Sequence, residues 1–135
     1  MPTLPSQSTL VSIYNVGVTF DPETATLSFS RDMPENKVLR IGQGINLIVF
    51  DLQTNPPVPG ESPAAFVADP IVWLEGTTPP FNQPQRYNDH RFTLLIYNTA
   101  LEAVNNEHMF NLTVLYGGVT HSSDPTIINE PPGGG

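Results

Sequence analysis

Hydrophobic and polar residues alternate with a period of two in several separate runs of this chain, and the 3.6-residue period of an amphipathic helix is nearly absent. Ala25-Thr26-Leu27-Ser28-Phe29-Ser30 alternates cleanly, which turns Leu27 and Phe29 inward and the hydroxyl residues toward water. Phe92-Thr93-Leu94-Leu95-Ile96-Tyr97 and Phe110-Asn111-Leu112-Thr113-Val114-Leu115-Tyr116 carry the strongest strand signals. They are expected to face the core with Phe92, Leu94 and Ile96, and with Phe110, Leu112, Val114 and Tyr116. Ile45-Asn46-Leu47-Ile48-Val49-Phe50 starts as an alternation and ends apolar on both faces, as a central strand or one that changes neighbours does. From Leu10 to Phe20 the pattern changes phase: Val11 and Ile13 share one parity and Val16, Val18 and Phe20 the other. A bulge or a crossing between sheets near Asn15 and Gly17 would bring both sets to the core. Weaker strands are expected at Val38–Ile41 and Pro70–Leu74, with a terminal one at Thr126–Asn129. The expected core is Val16, Val18, Leu27, Phe29, Leu47, Val49, Leu94, Ile96, Leu112 and Val114.

Turn residues separate these runs. Gly42-Gln43-Gly44 reads as a turn between Ile41 and Ile45, because glycine takes positive φ without steric cost. Fifteen prolines fall mainly in loops and at strand starts. The stretch 53–63 is too rich in proline for a strand ladder and is expected to be an exposed loop. A second long loop is expected over 75–91, a Pro/Gly-rich tail over 130–135, and a single helical turn at Ala100–Val104. Seven or eight mainly antiparallel strands at this spacing predict an all-β, two-sheet immunoglobulin-like β-sandwich, with residues 1–135 as one domain. Neither a cysteine pair nor a tryptophan framework marks a true immunoglobulin domain.

Charge narrows the partners. Thirteen acidic residues stand against five basic ones, for a net charge of −8. Such a surface repels nucleic acid and anionic lipid, so neither nucleic-acid nor membrane binding is expected. Charged residues make up only 13% of the chain, and Lys37 is its only lysine. The common device of guarding sheet edges with lysine is therefore missing, which leaves proline or a second subunit to cover them. A homo-oligomer is the expectation. The absence of cysteine removes disulfides, thiolate metal sites and thiol nucleophiles. The first residues, Met1-Pro2-Thr3-Leu4-Pro5-Ser6-Gln7, lack the charged and apolar regions of a signal peptide, and no apolar run is long enough to cross a bilayer, so a cytoplasmic protein is expected.

Enzyme templates fail on spacing. There is no GxSxG elbow and no Walker loop, and Gly42-Gln43-Gly44 lacks the third glycine and the helix of a dinucleotide fingerprint. The carboxylates at Asp21, Glu23, Asp32 and Glu35 lack the ligand spacing of a calcium loop. If the strands at Phe92–Tyr97 and Phe110–Tyr116 paired as a hairpin, His90 would approach the segment holding His121. Asp89, His90, His121 and Asp124 would then offer nitrogen and oxygen ligands to a zinc-like ion, giving a metal-binding protein or metal-dependent enzyme as the alternative reading. The leading reading is a non-catalytic binding or assembly module without a cofactor. Its candidate contact residues are Phe81, Arg86, Tyr87, His90 and Arg91, because aromatic and arginine side chains anchor interfaces and loops on a sandwich carry binding.

Asp-Pro occurs three times, as Asp21-Pro22, Asp69-Pro70 and Asp124-Pro125. Proline sets φ for a turn or strand entry, and the preceding aspartate can accept a backbone N–H in an Asx-turn. The last pair opens the run Asp124-Pro125-Thr126-Ile127-Ile128-Asn129-Glu130-Pro131-Pro132, close behind the strand at Phe110–Tyr116. This run resembles the closing signature of the DP-EP family, a small prokaryotic group. The resemblance implies a small prokaryotic domain and brings no activity, cofactor or catalytic residue with it. Read physically, Thr126–Asn129 is β-prone and stopped by proline on both sides, as expected of a capped edge strand.

Overall fold

The computed structural model describes residues 11–34, 36–79, 81–98 and 106–129. These residues form ten strands and no helix: β1 (Val11–Asp21), β2 (Thr26–Arg31), β3 (Val38–Ile41), β4 (Gly44–Thr54), β5 (Ala65–Trp73), β6 (Asn82–Asn88), β7 (Arg91–Asn98), β8 (Asn106–Tyr116), β9 (Val119–Ser123) and β10 (Thr126–Asn129). One sheet has the order β2-β1-β4-β7-β6, and the other β3-β10-β8-β5 with β9 also paired to β8. The sheets face each other across a shared core. Phe50 in the first lies edge-on to Phe110 in the second, with ring centroids 6.3 Å apart, and Phe66 in the second lies edge-on to Phe92 in the first at 4.8 Å. This is the predicted two-sheet sandwich, with ten strands in place of seven or eight. The sheets are mixed, since β1 runs parallel to β4 and β3 parallel to β10. The expected helical turn at Ala100–Val104 and the tail at 130–135 lie outside the described residues.

The inner faces follow the alternation where one face alone is apolar. Phe92, Leu94 and Ile96 of β7 and Phe110, Leu112 and Val114 of β8 are all buried, as are Val16, Val18 and Phe29. In β4 the parity is the reverse of the expected one. Ile48, Phe50 and Leu52 point inward, while Leu47 and Val49 are only half-buried on the outer face. Phe50 fixes this choice by stacking on its cross-strand neighbour Phe92 at 4.4 Å, with the ring planes nearly parallel, on the inner face of the sheet. Leu27 is half-buried and packs against the core from its margin.

The phase change in β1 has a different cause from the one expected. Its parallel register with β4 runs unbroken from Val11 beside Ile45 to Phe20 beside Thr54, so no bulge brings Val11 and Ile13 inward. They stay on the outer face, 60% and 61% exposed. β7 and β8, expected to pair as a hairpin, belong to opposite sheets. Gly42-Gln43 accordingly carries the chain from β3 in one sheet to β4 in the other, and the Asn46 side chain ties this passage down by donating from Nδ2 to the carbonyls of Gly42 and Gly44.

The tail strand is interior rather than an edge. β8 turns through Gly117-Gly118, both at positive φ, the two-residue type I′ geometry that suits the twist of a hairpin. Ser123 of β9 lies opposite Leu112 and Thr126 of β10 opposite Met109, so β9 and β10 keep one register along β8. They are interrupted only at Asp124-Pro125, where proline has no N–H to give the ladder; its carbonyl still accepts from the Phe110 N–H at 3.3 Å. β10 then sits between β8 and β3, with Ile127 fully buried. The other Asp-Pro pairs mark breaks of the same kind. Asp69-Pro70 falls where the β5–β8 register shifts, and Asp21 ends β1 while its carboxylate accepts the Glu23 N–H at 2.8 Å.

Candidate functional site

The registers of the first sheet assemble an apolar surface on its outer face. Odd-numbered residues of β1, β4 and β7 point away from the core, because Val16 and Val18, Ile48 and Phe50, and Leu94 and Ile96 point into it. One row across the sheet reads Val11, Ile45, Tyr97. The next reads Ile13, Leu47, Leu95, Gln83, and the third Asn15, Val49, Thr93, Gln85. Phe81 completes the first row: its carbonyl accepts the Tyr97 N–H at 3.1 Å, and its ring lies 6.0 Å from the Tyr97 ring. Phe81 is 54% exposed and Tyr97 45%. Beside them a shallow depression of about 290 Å³ opens over Gln83 and Leu95.

No residue in these three rows is charged. Charge begins in the fourth row, where Gly17, Asp51 and Arg91 stand side by side. Asp51 accepts from Arg91 Nε at 2.6 Å and lies 3.6 Å from the Arg31 guanidinium. The hydrogen bond to Asp51, with its charge, holds the Arg91 guanidinium above its ordinary value. At the β1 side of the patch β2 pairs only from Val16 onward. Asp32 takes over at Asn15, its carboxylate accepting the Asn15 N–H at 2.7 Å and its own N–H reaching the Asn15 carbonyl at 3.0 Å. Among the described residues no strand pairs with this side of Val11–Tyr14.

The candidate contact residues do not form one loop. Residues 82–88, expected within a loop, form the edge strand β6, whose residues bury almost nothing and so carry no alternation. Pro84 is tolerated there because the strand has a partner on one side only. Phe81 joins the apolar rows. Tyr87, 58% exposed, lies at the irregularity where the β6–β7 register shifts. Arg86 bridges the two sheets: its Nε donates to the Phe66 carbonyl at 3.2 Å, and its guanidinium pairs with Asp89. His90 is at the far end of the sheet, in the β6–β7 turn, where its carbonyl accepts the Leu52 N–H at 2.8 Å. Arg91 is held by Asp51.

The four proposed metal ligands are likewise apart in role. Asp89 pairs with Arg86, and Asp124 with Lys37 at 3.0 Å, a contact that holds the Asp124 carboxyl below its usual range. The His121 ring packs on Phe20 at 4.8 Å. Among the described residues no three His, Asp or Glu side chains converge as a metal site would require. His108, which took no part in the expected site, is buried beside Trp73, with Nδ1 2.6 Å from the Thr77 carbonyl. Burial pushes its pKa down, and the bond to Thr77 opposes this in part.

Sequence reasoning missed the outer apolar rows because it assigned Leu47 and Val49 to the core. A signal was present: Val11 and Ile13 out of phase with Val16 and Val18, beside a run apolar on both faces, marks two apolar faces on adjacent strands. No protein-family model matches the chain, and no curated protein matches it in sequence.

Proposed function

We propose that this chain is a non-catalytic assembly module that associates with a second copy of itself through the outer face of its first sheet. The observation that carries the reading is the uncharged patch bounded by Val11, Ile13, Phe81 and Tyr97 on a chain of net charge −8. Four strands wide and three rows deep, the uncharged face spans on the order of 400 Å², apolar in its first two rows apart from Gln83, a size at which the largest apolar patch of a protein is often a functional one. Its chemistry favours a like partner. A basic partner would be drawn to the acidic remainder of the surface, whereas two identical chains repel each other everywhere except where both are free of charge. A two-fold contact between uncharged faces satisfies both copies at once and closes without leaving a surface for further growth. The DP-EP resemblance of the closing segment agrees with a small prokaryotic domain that carries no catalytic motif, and a cytoplasmic location fits the same reading.

A contact of this size lies at the small end for specific interfaces, so association should depend on concentration. Repulsion is screened over roughly 8 Å at physiological salt, whereas apolar contact is not. Sedimentation over a range of concentrations, in low and high salt, tests the reading. Association that persists or tightens as salt rises is the expected result; a monomer at every concentration in both salts would overturn it.

A further inference from the structure

The end of the sandwich away from Phe81 and Tyr97 holds a cavity of about 430 Å³ beneath the proline-rich loop. Its floor is apolar. Leu52 is part of the core, and Tyr116 packs against the core with its ring 4.9 Å from that of Phe20. Its opposite wall comes from Pro57, Val58 and Pro63 of the loop. Volumes of this order accommodate small organic ligands.

The loop is fixed at both ends. The Asn55 N–H donates to the Phe20 carbonyl at 2.9 Å, and the Ala64 N–H to the Thr54 hydroxyl at 2.7 Å. Between them the Glu61 N–H closes a turn on the Val58 carbonyl at 3.1 Å, with Gly60 at positive φ. Four prolines, Pro56, Pro57, Pro59 and Pro63, restrict the backbone further. A wall already constrained in this way loses little freedom when a ligand enters, and preorganisation is what lets a small contact area yield measurable affinity.

The polar groups select the ligand. Glu61 is the one carboxylate lining the cavity, and neither lysine nor arginine is among its lining residues. His90 is the one basic side chain in the lining, so an anion would meet Glu61 with only that imidazole to offset it, within a chain of net charge −8, while a cation would be concentrated near the carboxylate. The Tyr116 ring offers an aromatic surface against which an apolar or aromatic body can pack. We infer that this cavity is a binding site for a small organic cation with an apolar body, such as an arylalkylamine, whose head lies toward Glu61 and whose body rests against Leu52, Val58 and Tyr116. The site is at the opposite end of the fold from the apolar rows and does not rest on the assembly reading.

Three probes of one size and different charge test this: phenethylammonium, 2-phenylethanol and phenylacetate, each titrated into the isotopically labelled full chain and followed by amide chemical shifts. The ammonium probe should saturate shifts at Val58, Glu61, His90 and Tyr116. It should bind about fivefold more tightly than the alcohol, the worth of a partly exposed ion pair, and phenylacetate should bind weakest. Glu61→Gln, an exposed change that should leave the thermal midpoint unaltered, should bring the ammonium affinity down to that of the alcohol. Equal affinity of parent and variant for the ammonium probe, tighter binding of phenylacetate, shifts centred elsewhere, or no saturable shift with any probe would each overturn the assignment.

Discussion

The two sheets turn different outer faces to solvent. That of the first carries Val11, Ile13, Ile45, Leu47, Val49, Leu95 and Tyr97 across adjoining strands. That of the second is largely polar: the Thr113 and Ser122 hydroxyls bond across β8 and β9 at 2.8 Å, Asn111 faces outward between them and β5, and Lys37 pairs with Asp124 beside β10. Its apolar residues are fewer: Val72, 57% exposed, has the half-buried Leu74 and Met109 beside it, and Leu115, 42% exposed, lies further along β8. Folding requires the inner faces to be apolar and makes no demand on the outer ones, and scattered exposed apolar residues are ordinary on any surface. The larger contiguous apolar set lies on the outer face of the first sheet, and the proposed association rests on that difference. The single lysine strengthens the contrast, because it does not guard an edge strand by remaining free but joins Asp124 and Ser123 where β3 and β10 begin.

Inner faces carry stability and the proposed contact uses an outer one, so the two can be perturbed separately, beginning with stability. Truncation before Asp124 removes β10 from between β3 and β8 and takes Ile127 out of the core. The loss should exceed about 5 kcal/mol, comparable with the whole stability of a small domain, and the product should unfold or aggregate. Removing only Gly133–Gly135 should leave the thermal midpoint where it is. A soluble truncated form with the parent's midpoint would show that β10 contributes nothing to the second sheet.

Next in size is a contrast within one strand. Phe50→Ala removes a ring stacked on Phe92 and should cost about 3–5 kcal/mol in denaturant unfolding; Leu112→Ala, on the inner face of β8, should cost about 2–5 kcal/mol. Leu47→Ala, on the outer face of β4, should cost the monomer about 1 kcal/mol or less. Equal losses at positions 47 and 50 would mean that the outer face is packed as tightly as the inner one.

A smaller effect concerns pH. His108 is held below its ordinary value of 6.5 by burial, so the unfolded chain binds its proton first as pH falls. Above 6.5 this group costs no stability; as pH drops from there toward its lowered folded value, the protein progressively loses stability. His108→Gln should flatten that part of the stability profile in urea titrations. An unchanged profile would place the acid sensitivity elsewhere.

How far the sequence revealed the fold follows from the same physics. Alternation arises only where one face is buried and the other is wet, so β2, β7 and β8 were legible in position and in parity. β4 was legible in position alone, because Ile45, Leu47 and Val49 on one face and Ile48, Phe50 and Leu52 on the other leave no contrast to read. β6 and β9 were not legible at all. Asn82–Asn88 is polar and exposed along an edge, and Val119–Ser123 holds a single large apolar residue. Asp124-Pro125 was read as the end of a ladder, although the partner strand carries the register straight past it. Of the candidate contact residues only Phe81 lies in the apolar rows, because the others were chosen by residue type and one supposed loop, while the surface is defined by registers across four strands.

In the proposed assembly, association belongs to one outer face and not the other. Ile13 and Val72 have nearly equal exposure, 61% and 57%, on opposite outer faces. Sedimentation of Ile13→Glu and Val72→Glu beside the parent, over the same concentrations, isolates the face from the chemistry of the change. The parent and Val72→Glu should associate as concentration rises while Ile13→Glu stays monomeric with an unaltered thermal midpoint. Identical behaviour of all three, whether monomeric or associated, would contradict the proposed assembly.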